Sequence, residues 1–187
     1  MVSPDGLNRL FEETLNELDR VLTNLKHEGC TKLVLSGDFR QKADTTVHFS
    51  AGADLSEVFA LTPLRALSFS LKGQCVSRHL QWNGWTTWTL FSGAVVGGGC
   101  DVAFHGHDRW GIEDSRRPLN VHHPALKHGV IPGFGGSVQL AQVLGRDQAM
   151  KLFEGASWNG SQALSSGAIS RCITYDEIYS AVIDWLD

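Results

Sequence analysis

Three successive glycines, Gly97-Gly98-Gly99, constrain this chain more than any other feature of its sequence. They stand between an apolar approach, Ala94-Val95-Val96, and Cys100-Asp101, from which the sequence can continue as a helix. Because glycine has no Cβ, such a run exposes backbone N–H groups and lets another group approach the main chain closely. A helix that begins there also directs its positive end at developing negative charge. The run is therefore either an oxyanion-binding turn or an ordinary flexible or close-packed loop.

A second glycine turn stands earlier, at Ser50-Ala51-Gly52-Ala53, and Asp54 follows it. The sequence becomes helical from Leu55 onward. Aspartate at the start of a helix commonly accepts hydrogen bonds from the first free N–H groups. Asp54 is therefore either a helix cap or part of a binding loop.

Strand-like and helix-like segments alternate along the chain, which predicts an α/β fold. The length of 187 residues suits one domain, spanning residues 1–187. A helix over residues 7–25 is predicted to be capped by Ser3-Pro4-Asp5, and residues 38–47 are predicted to form a loop. Further predicted helices cover residues 55–61, 63–80, 101–104, 137–144, 147–153, 161–165 and 176–186, and predicted strands cover residues 32–37, 89–91, 109–113 and 169–173.

Composition excludes several function classes. Apolar residues make up 42% of the chain and charged residues 19%, which is typical of globular proteins. A net charge of −4 does not supply the basic field that nucleic-acid binding needs. No apolar run approaches the length of about 18 residues that indicates a membrane helix, and the N-terminal region is polar rather than like a signal peptide. We therefore expect a cytoplasmic protein with no nucleic-acid or membrane partner.

The four cysteines, Cys30, Cys75, Cys100 and Cys172, form no C-x-x-C pair and no metal-ligand spacing. We expect reduced, mostly buried thiols and no metal site. Titratable side chains instead concentrate between residues 116 and 130. Among them His122 and His123 are of interest because imidazole titrates near neutral pH.

Taken in order, these pieces resemble the crotonase superfamily, also called the enoyl-CoA hydratase/isomerase family. The matching segments are residues 49–55 (FSAGADL), 93–101 (GAVVGGGCD) and 124–136 (PALKHGVIPGFGG). Residues 145–152 and 163–169 look like later helices and a strand of the same family. The resemblance covers nearly the whole chain. Compared with the family pattern, the chain lacks the first strands and the C-terminal helical segment.

The resemblance implies a spiral of repeated ββα turns of the ClpP/crotonase type, usually assembled as homotrimers or hexamers. It implies an acyl thioester substrate carried by coenzyme A or by an acyl carrier protein. No cofactor would be tightly bound, because coenzyme A or phosphopantetheine is part of the substrate. The backbone N–H groups of Ala53 and Gly98 would form the oxyanion hole. The remaining expected substrate-binding residues are Ala51, Gly52, Asp54, Gly97, Ala125 and Gly133.

The chain departs from the hydratases of this family in its acid and base residues. A hydratase carries glutamate where this chain has Asp101 and a second glutamate where it has Ala125. Gly133 stands where dienoyl-CoA isomerases and related hydrolases tend to carry aspartate. Alanine transfers no proton, and hydration by two carboxylates needs both groups within reach of the water.

Histidine is the candidate replacement for the missing acid. We expect His123, or its neighbour His122, to act with Asp101, although each histidine could instead bind backbone in a loop. Asp101 itself is a lone base, an electrostatic partner or a structural residue at a helix start. These residues predict an enzyme that stabilises a thioester enolate, a lyase such as a decarboxylase or an isomerase rather than a hydratase. The alternatives are a non-catalytic crotonase-like subunit or scaffold and an enoyl-CoA hydratase.

Overall fold

The computed structural model describes residues 6–37, 48–82, 84–115 and 118–187. The predicted cap at Ser3-Pro4-Asp5 and the predicted loop over residues 38–47 lie outside these ranges. Seven strands of the described chain form two sheets. The strands are β1 (Lys32–Leu35), β2 (Thr86–Phe91), β3 (Ala94–Val96), β4 (Asp108–Glu113), β5 (Asn120–His122), β6 (Ser157–Trp158) and β7 (Arg171–Thr174).

Helices follow or separate these strands. They are α1 (Glu12–His27), α2 (Leu55–Ala60), α3 (Pro63–Trp82), α4 (Gly98–Ala103), α5 (Gly136–Leu144), α6 (Arg146–Phe153), α7 (Gly160–Ser165) and α8 (Ile178–Leu186). Short 3-10 helices cover Leu126–His128 and Tyr175–Glu177. No helix within the described ranges combines the length and the apolar character needed to cross a membrane.

The sheets arise from a repeated strand–strand–helix turn. The larger sheet has the parallel order β1-β2-β4-β7, and the smaller has the order β3-β5-β6, in which β6 is antiparallel. After β2 the chain adds β3 to the smaller sheet and then forms α4. After β4 it adds β5 to the smaller sheet and later forms α5. Ser50 pairs with Val95 beside β3 in the same manner, so the chain alternates between the two sheets as the ββα prediction requires.

Strand β2 separates two parts of the hydrophobic core. Trp88 and Leu90 are buried on one face in a cluster with Ile178 of α8. On the other face, Thr87 and Thr89 are buried and donate hydrogen bonds through their hydroxyl groups to the carbonyls of Leu80 and Ala103. These bonds satisfy the two buried hydroxyls and attach α3 and α4 to the sheet.

The first helix begins later than its apolar spacing predicts. It starts at Glu12, and the preceding residues are not helical. The Leu10 N–H donates to the Gly52 carbonyl at 3.0 Å, and the Ala51 N–H donates to the Leu7 carbonyl at 2.8 Å. The main chain of Leu7 and Leu10 therefore binds the first glycine turn, and this pairing competes successfully with helix formation.

Two smaller predictions are also corrected. The last strand covers Arg171–Thr174 rather than residues 169–173, because the Ile169 N–H donates to the Ala163 carbonyl of α7. Of the four free cysteines only Cys100 is buried, whereas Cys75 is exposed on α3 and the other two are half-buried. The expectation of mostly buried thiols is therefore wrong.

Helix α5 offers a matched test of the core. Leu140 is fully buried, whereas Val138 on the same helix is 61% exposed. Leu140→Ala should lower the free energy of unfolding by about 2–5 kcal/mol, because it removes buried methyl groups and leaves a cavity. Val138→Ala should change it by less than about 0.5 kcal/mol. Urea denaturation measures both, and equal effects would contradict this account of the core.

Candidate active site

The glycine triplet forms the turn between β3 and α4, and each glycine is needed for a different reason. Gly97 has φ 53° and ψ −122°, a combination that side chains disfavour, and its N–H donates to the His122 carbonyl at 2.9 Å. A Cβ on Gly98 would lie 2.9 Å from the ring of Phe134. A Cβ on Gly99 would lie 2.7 Å from the Ser50 carbonyl oxygen. The triplet is thus a close-packed turn rather than a flexible loop.

The first glycine turn lies directly against the triplet. The Val96 N–H donates to the Ser50 carbonyl at 2.9 Å, which aligns the two segments. Gly52 has φ 78°, and a Cβ there would lie 2.5 Å from the Val96 carbonyl oxygen and 3.2 Å from the Gly98 nitrogen. Within the described residues, neither the Ala53 N–H nor the Gly98 N–H donates a hydrogen bond. Two unused donors therefore stand on adjacent turns.

Both donors line one cavity of about 350 Å³. Most of its lining is apolar, including Leu55, Val58, Phe69, Val96, Val130 and Ile131. Eight of the predicted site residues line it: Ala51, Ala53, Gly97, Gly98, Asp101, His123, Ala125 and Gly133. The fold therefore brings most of the predicted site together. An apolar cavity with a few convergent polar groups is typical of a small-molecule site.

Asp101 and His123 form a buried pair in the wall of this cavity. Asp101 is 1% exposed and His123 is 3% exposed. His123 Nε2 lies 2.8 Å from Asp101 Oδ1, and the Phe134 N–H donates to Asp101 Oδ2 at 3.3 Å. A buried carboxylate needs such partners, because an unpaired charge away from water is costly. The two oxygens of Asp101 thus have separate donors.

The surroundings of His123 favour one tautomer. Its Nδ1 is buried and has no hydrogen-bond partner within the part of the chain that the structure describes. The edge of the ring packs against Phe153, with ring centroids 5.0 Å apart. A buried N–H without an acceptor costs more than an unused lone pair on a neutral ring. We therefore assign the proton to Nε2, from which it is donated to Asp101.

Gly136 provides the space that the Asp101 carboxylate occupies. A Cβ on Gly136 would lie 1.6 Å from Asp101 Oδ1, so no other residue fits there without moving the carboxylate. Gly136 is also the first residue of α5. The positive end of a helix favours a negative charge at this position. The Asp101 side chain is therefore surrounded by hydrogen-bonding groups and by the start of a helix.

Three predicted residues do not line the cavity. Gly52 is buried at the contact between the two turns. Asp54 caps α2, where Ser56 donates to it through its backbone N–H at 2.9 Å, and it forms an ion pair with Arg9. The hydrogen bonds from Ser56, with the charge of Arg9, hold the pKa of Asp54 below its ordinary value. The capping interpretation of Asp54 is thus the one that its contacts match.

His122 is also directed elsewhere, contrary to the expectation that it takes part in the chemistry. Its Nδ1 lies 2.9 Å from the Ala156 carbonyl oxygen, just before β6. The contacts of His122 therefore match the alternative interpretation, in which this histidine binds backbone. His122 is the last residue of β5, whereas His123 lies just after the strand and binds Asp101.

Sequence reasoning missed Phe134, Gly136 and His105. Phe134 binds Asp101 through its N–H and packs its ring on Gly98. His105 is buried, and its Nδ1 lies 2.6 Å from the Asp101 carbonyl oxygen. The run Gly133-Phe134-Gly135-Gly136 was a usable signal, because glycine at a helix start without a capping side chain indicates close approach. Among the described residues, no three His, Cys, Asp or Glu side chains are grouped to hold a metal ion.

The two sheets consist mainly of parallel strands and arise from repeated ββα turns, and two glycine turns carry unused N–H donors. This combination defines an α/β protein of the crotonase type. A model of the enoyl-CoA hydratase/isomerase family matches residues 1–187, and the chain belongs to this family. The resemblance and the fold class inferred from the sequence are confirmed.

Individual relatives agree with this assignment. The short-chain-enoyl-CoA hydratase of Clostridium acetobutylicum is 27% identical over 176 residues, which are 94% of this chain and 64% of that protein. The chain therefore spans less than two thirds of the length of that curated relative. The structure of an enoyl-CoA hydratase from Thermoplasma volcanium is similar with a TM-score of 0.84 at 25% identity, over 97% of this chain and 69% of that one. An enoyl-CoA hydratase from Bacillus anthracis has the same fold, with a TM-score of 0.84 at 20% identity, over 98% of this chain and 68% of that one.

Gly136→Ala tests whether Asp101 depends on the space at Gly136. The added methyl group overlaps Oδ1 and should displace the carboxylate from His123, lowering the free energy of unfolding by about 1–3 kcal/mol. Ser137→Ala, at the exposed next position of α5, is the control and should change it by less than about 0.5 kcal/mol. Urea denaturation compares the two. A Gly136→Ala protein as stable as the control would show that Asp101 does not rely on this space.

Proposed function

We propose that this protein binds an acyl thioester and transfers a proton at the carbon beside its carbonyl group. The observation that carries the proposal is the single cavity lined by two unused N–H donors and by the buried Asp101–His123 pair. The thioester would be carried by coenzyme A or by the phosphopantetheine of a carrier protein. No tightly bound cofactor is needed for this chemistry.

The Ala53 and Gly98 N–H groups would donate hydrogen bonds to the carbonyl oxygen of the thioester. Removal of a proton from the α-carbon places negative charge on this oxygen, and two fixed donors stabilise it more strongly as the charge develops. By analogy with other oxyanion holes, each donor contributes about 3–4 kcal/mol to the transition state. The donors are main-chain groups held by the contact of two glycine turns, so they need little reorganisation.

Asp101 would act as the base, with His123 as its partner. His123 binds Asp101 directly, so the two residues would form one acid–base unit. The carboxylate would remove a proton from C2 of a 3-enoyl thioester, and the electron pair would move into a dienolate. Return of the same proton to C4 gives the 2-enoyl thioester and restores the carboxylate. The step consumes no water and no second reactant.

The cavity supports double-bond isomerisation over the other predicted reactions. Within the described chain, no lysine or arginine lines this cavity, which leaves the carboxylate of a β-carboxyacyl group without a strong partner. Decarboxylation is therefore supported less well than migration of a double bond in an uncharged acyl chain. Ala125 supplies no second carboxylate to activate water, although it lines the same cavity.

Hydration is kept as a second candidate because of the relative from Clostridium acetobutylicum, which is named a short-chain-enoyl-CoA hydratase. That protein is 27% identical to this chain. Loss of enone absorbance from crotonyl-CoA tests hydration directly. A rate near that of an active hydratase would favour this candidate over isomerisation.

The isomerase proposal predicts that trans-3-enoyl-CoA is converted to the trans-2 isomer, followed by absorbance and mass spectrometry. Asp101→Asn should lower kcat/KM by about 10²–10⁴-fold, because it removes the base. His123→Gln should lower kcat/KM by only about ten-fold, since the glutamine amide can still donate to Asp101. Val138→Ala is the matched surface control and should keep the parent rate. An active Asp101→Asn protein would contradict the proposed base.

The non-catalytic alternative gives a different result. It predicts that the protein binds a stable thioether analogue of an acyl-CoA in calorimetry but converts none of the 3-enoyl, crotonyl and malonyl substrates.

The homotrimeric or hexameric assembly stays a prediction. Light scattering on the protein as it elutes from a size-exclusion column tests it.

A further inference from the structure

We propose that His105 is a positioning residue that holds the main chain of Asp101 in place; the inference rests on the proposed role of Asp101 as the base. His105 lies just beyond the C-terminal end of α4, four residues after Asp101. Its Nδ1 is 2.6 Å from the Asp101 carbonyl oxygen. The side chain is buried, with 7% of its surface exposed.

The Asp101 carbonyl needs this partner because of how α4 ends. In a continuing helix it would accept the N–H of the residue four positions later, which is His105. The His105 N–H instead donates to the Val102 carbonyl at 3.2 Å, because the chain tightens at the helix end. The Asp101 carbonyl is thereby one of the orphan acceptors of a helix C-terminus. The imidazole of the same residue replaces the missing main-chain bond.

The tautomer of His105 follows from this bond. A carbonyl oxygen can only accept, so Nδ1 must carry a proton. Burial lowers the pKa of His105, outweighing the backbone hydrogen bond and the charge of Asp101, which raise it. The ring is therefore neutral near neutral pH, with its proton on Nδ1. His123 carries its proton on the other nitrogen, so two histidines in opposite tautomers hold the two ends of Asp101.

Other anchors fix α4 but do not touch Asp101's main chain. Thr89 donates its hydroxyl to the Ala103 carbonyl at 3.0 Å, and Gln139 of α5 donates its amide to the Phe104 carbonyl at 3.0 Å. Without the His105 donor, the buried Asp101 carbonyl would lose its partner and the peptide would rotate to find another. Such a rotation moves the carboxylate, and a displacement of about 1 Å can lower a rate by about 10²-fold.

The test compares His105→Leu with His105→Asn. Leucine fills similar space without a donor, whereas the asparagine amide nitrogen occupies the place of Nδ1 and can still donate. His105→Leu should lower kcat for the 3-enoyl thioester by about 10–100-fold with KM changed by less than about two-fold, because binding contacts are untouched. His105→Asn should stay within about three-fold of the parent. Urea denaturation establishes that both variants are folded.

A merely structural histidine would give another pattern. It would lower the stability of both variants and leave kcat of the folded protein unchanged. The proposal is overturned if His105→Leu keeps kcat within about two-fold of the parent. It is also overturned if kcat falls as far in His105→Asn as in His105→Leu.

A second readout does not depend on turnover. Long-range ¹H–¹⁵N correlation spectra should show His105 as the Nδ1–H tautomer in the parent protein. The exchange-protected Nε2–H signal of His123, assigned by its loss in His123→Gln, should persist in His105→Asn and be lost or shifted in His105→Leu. If the parent turns over no substrate but the spectra show the expected tautomers and variant effects, the proposed reaction fails and the positioning role stands. If His105 is the Nε2–H tautomer, the positioning role fails whatever the activity.

Discussion

The structure of this site depends on keeping one carboxyl group, that of Asp101, almost completely out of water. An isolated buried charge is so costly that proteins retain one only where hydrogen bonds and favourable dipoles surround it. Here His123 and the Phe134 N–H bind the two oxygens, and the start of α5 stands beside them. His123 lies 22 residues after Asp101, and Phe134 lies 33 residues after it, just before α5. The two segments after α4 thus meet at a single side chain.

Close backbone contact is the second requirement, and it links the carboxylate to the unused donors. The ring of Phe134 packs between Gly73 of α3 and Gly98, and neither glycine could carry a Cβ in this position. The same residue binds Asp101 through its N–H. Phe134 thus contacts both the Asp101–His123 pair and the turn that carries the unused Gly98 N–H. A change in the packing of α3 against Phe134 would therefore affect both.

The sequence was informative where a local rule decides the outcome. Short apolar runs predicted strands that overlap β1, β2 and β4. The glycine turns alone left their role open, and the donors Ala53 and Gly98 were named from the resemblance to the crotonase superfamily. Residue type at Asp54 indicated a cap, which its contact with Ser56 bears out. Such local rules do not predict which residues that are distant in sequence contact each other. Nothing local shows that His123 binds Asp101 while His122 turns away, or that Leu7 and Leu10 bind the first glycine turn instead of extending α1.

The six residues of α4 are too few to form a stable helix alone, since helices shorter than about 12 residues are marginal in water. Side chains from β2 and α5 hold its last carbonyl groups, so it persists only after both of those elements have docked. The site and the core are consequently parts of one cooperative unit. A partly folded chain, whose apolar surfaces are still exposed, therefore has no formed Asp101–His123 pair.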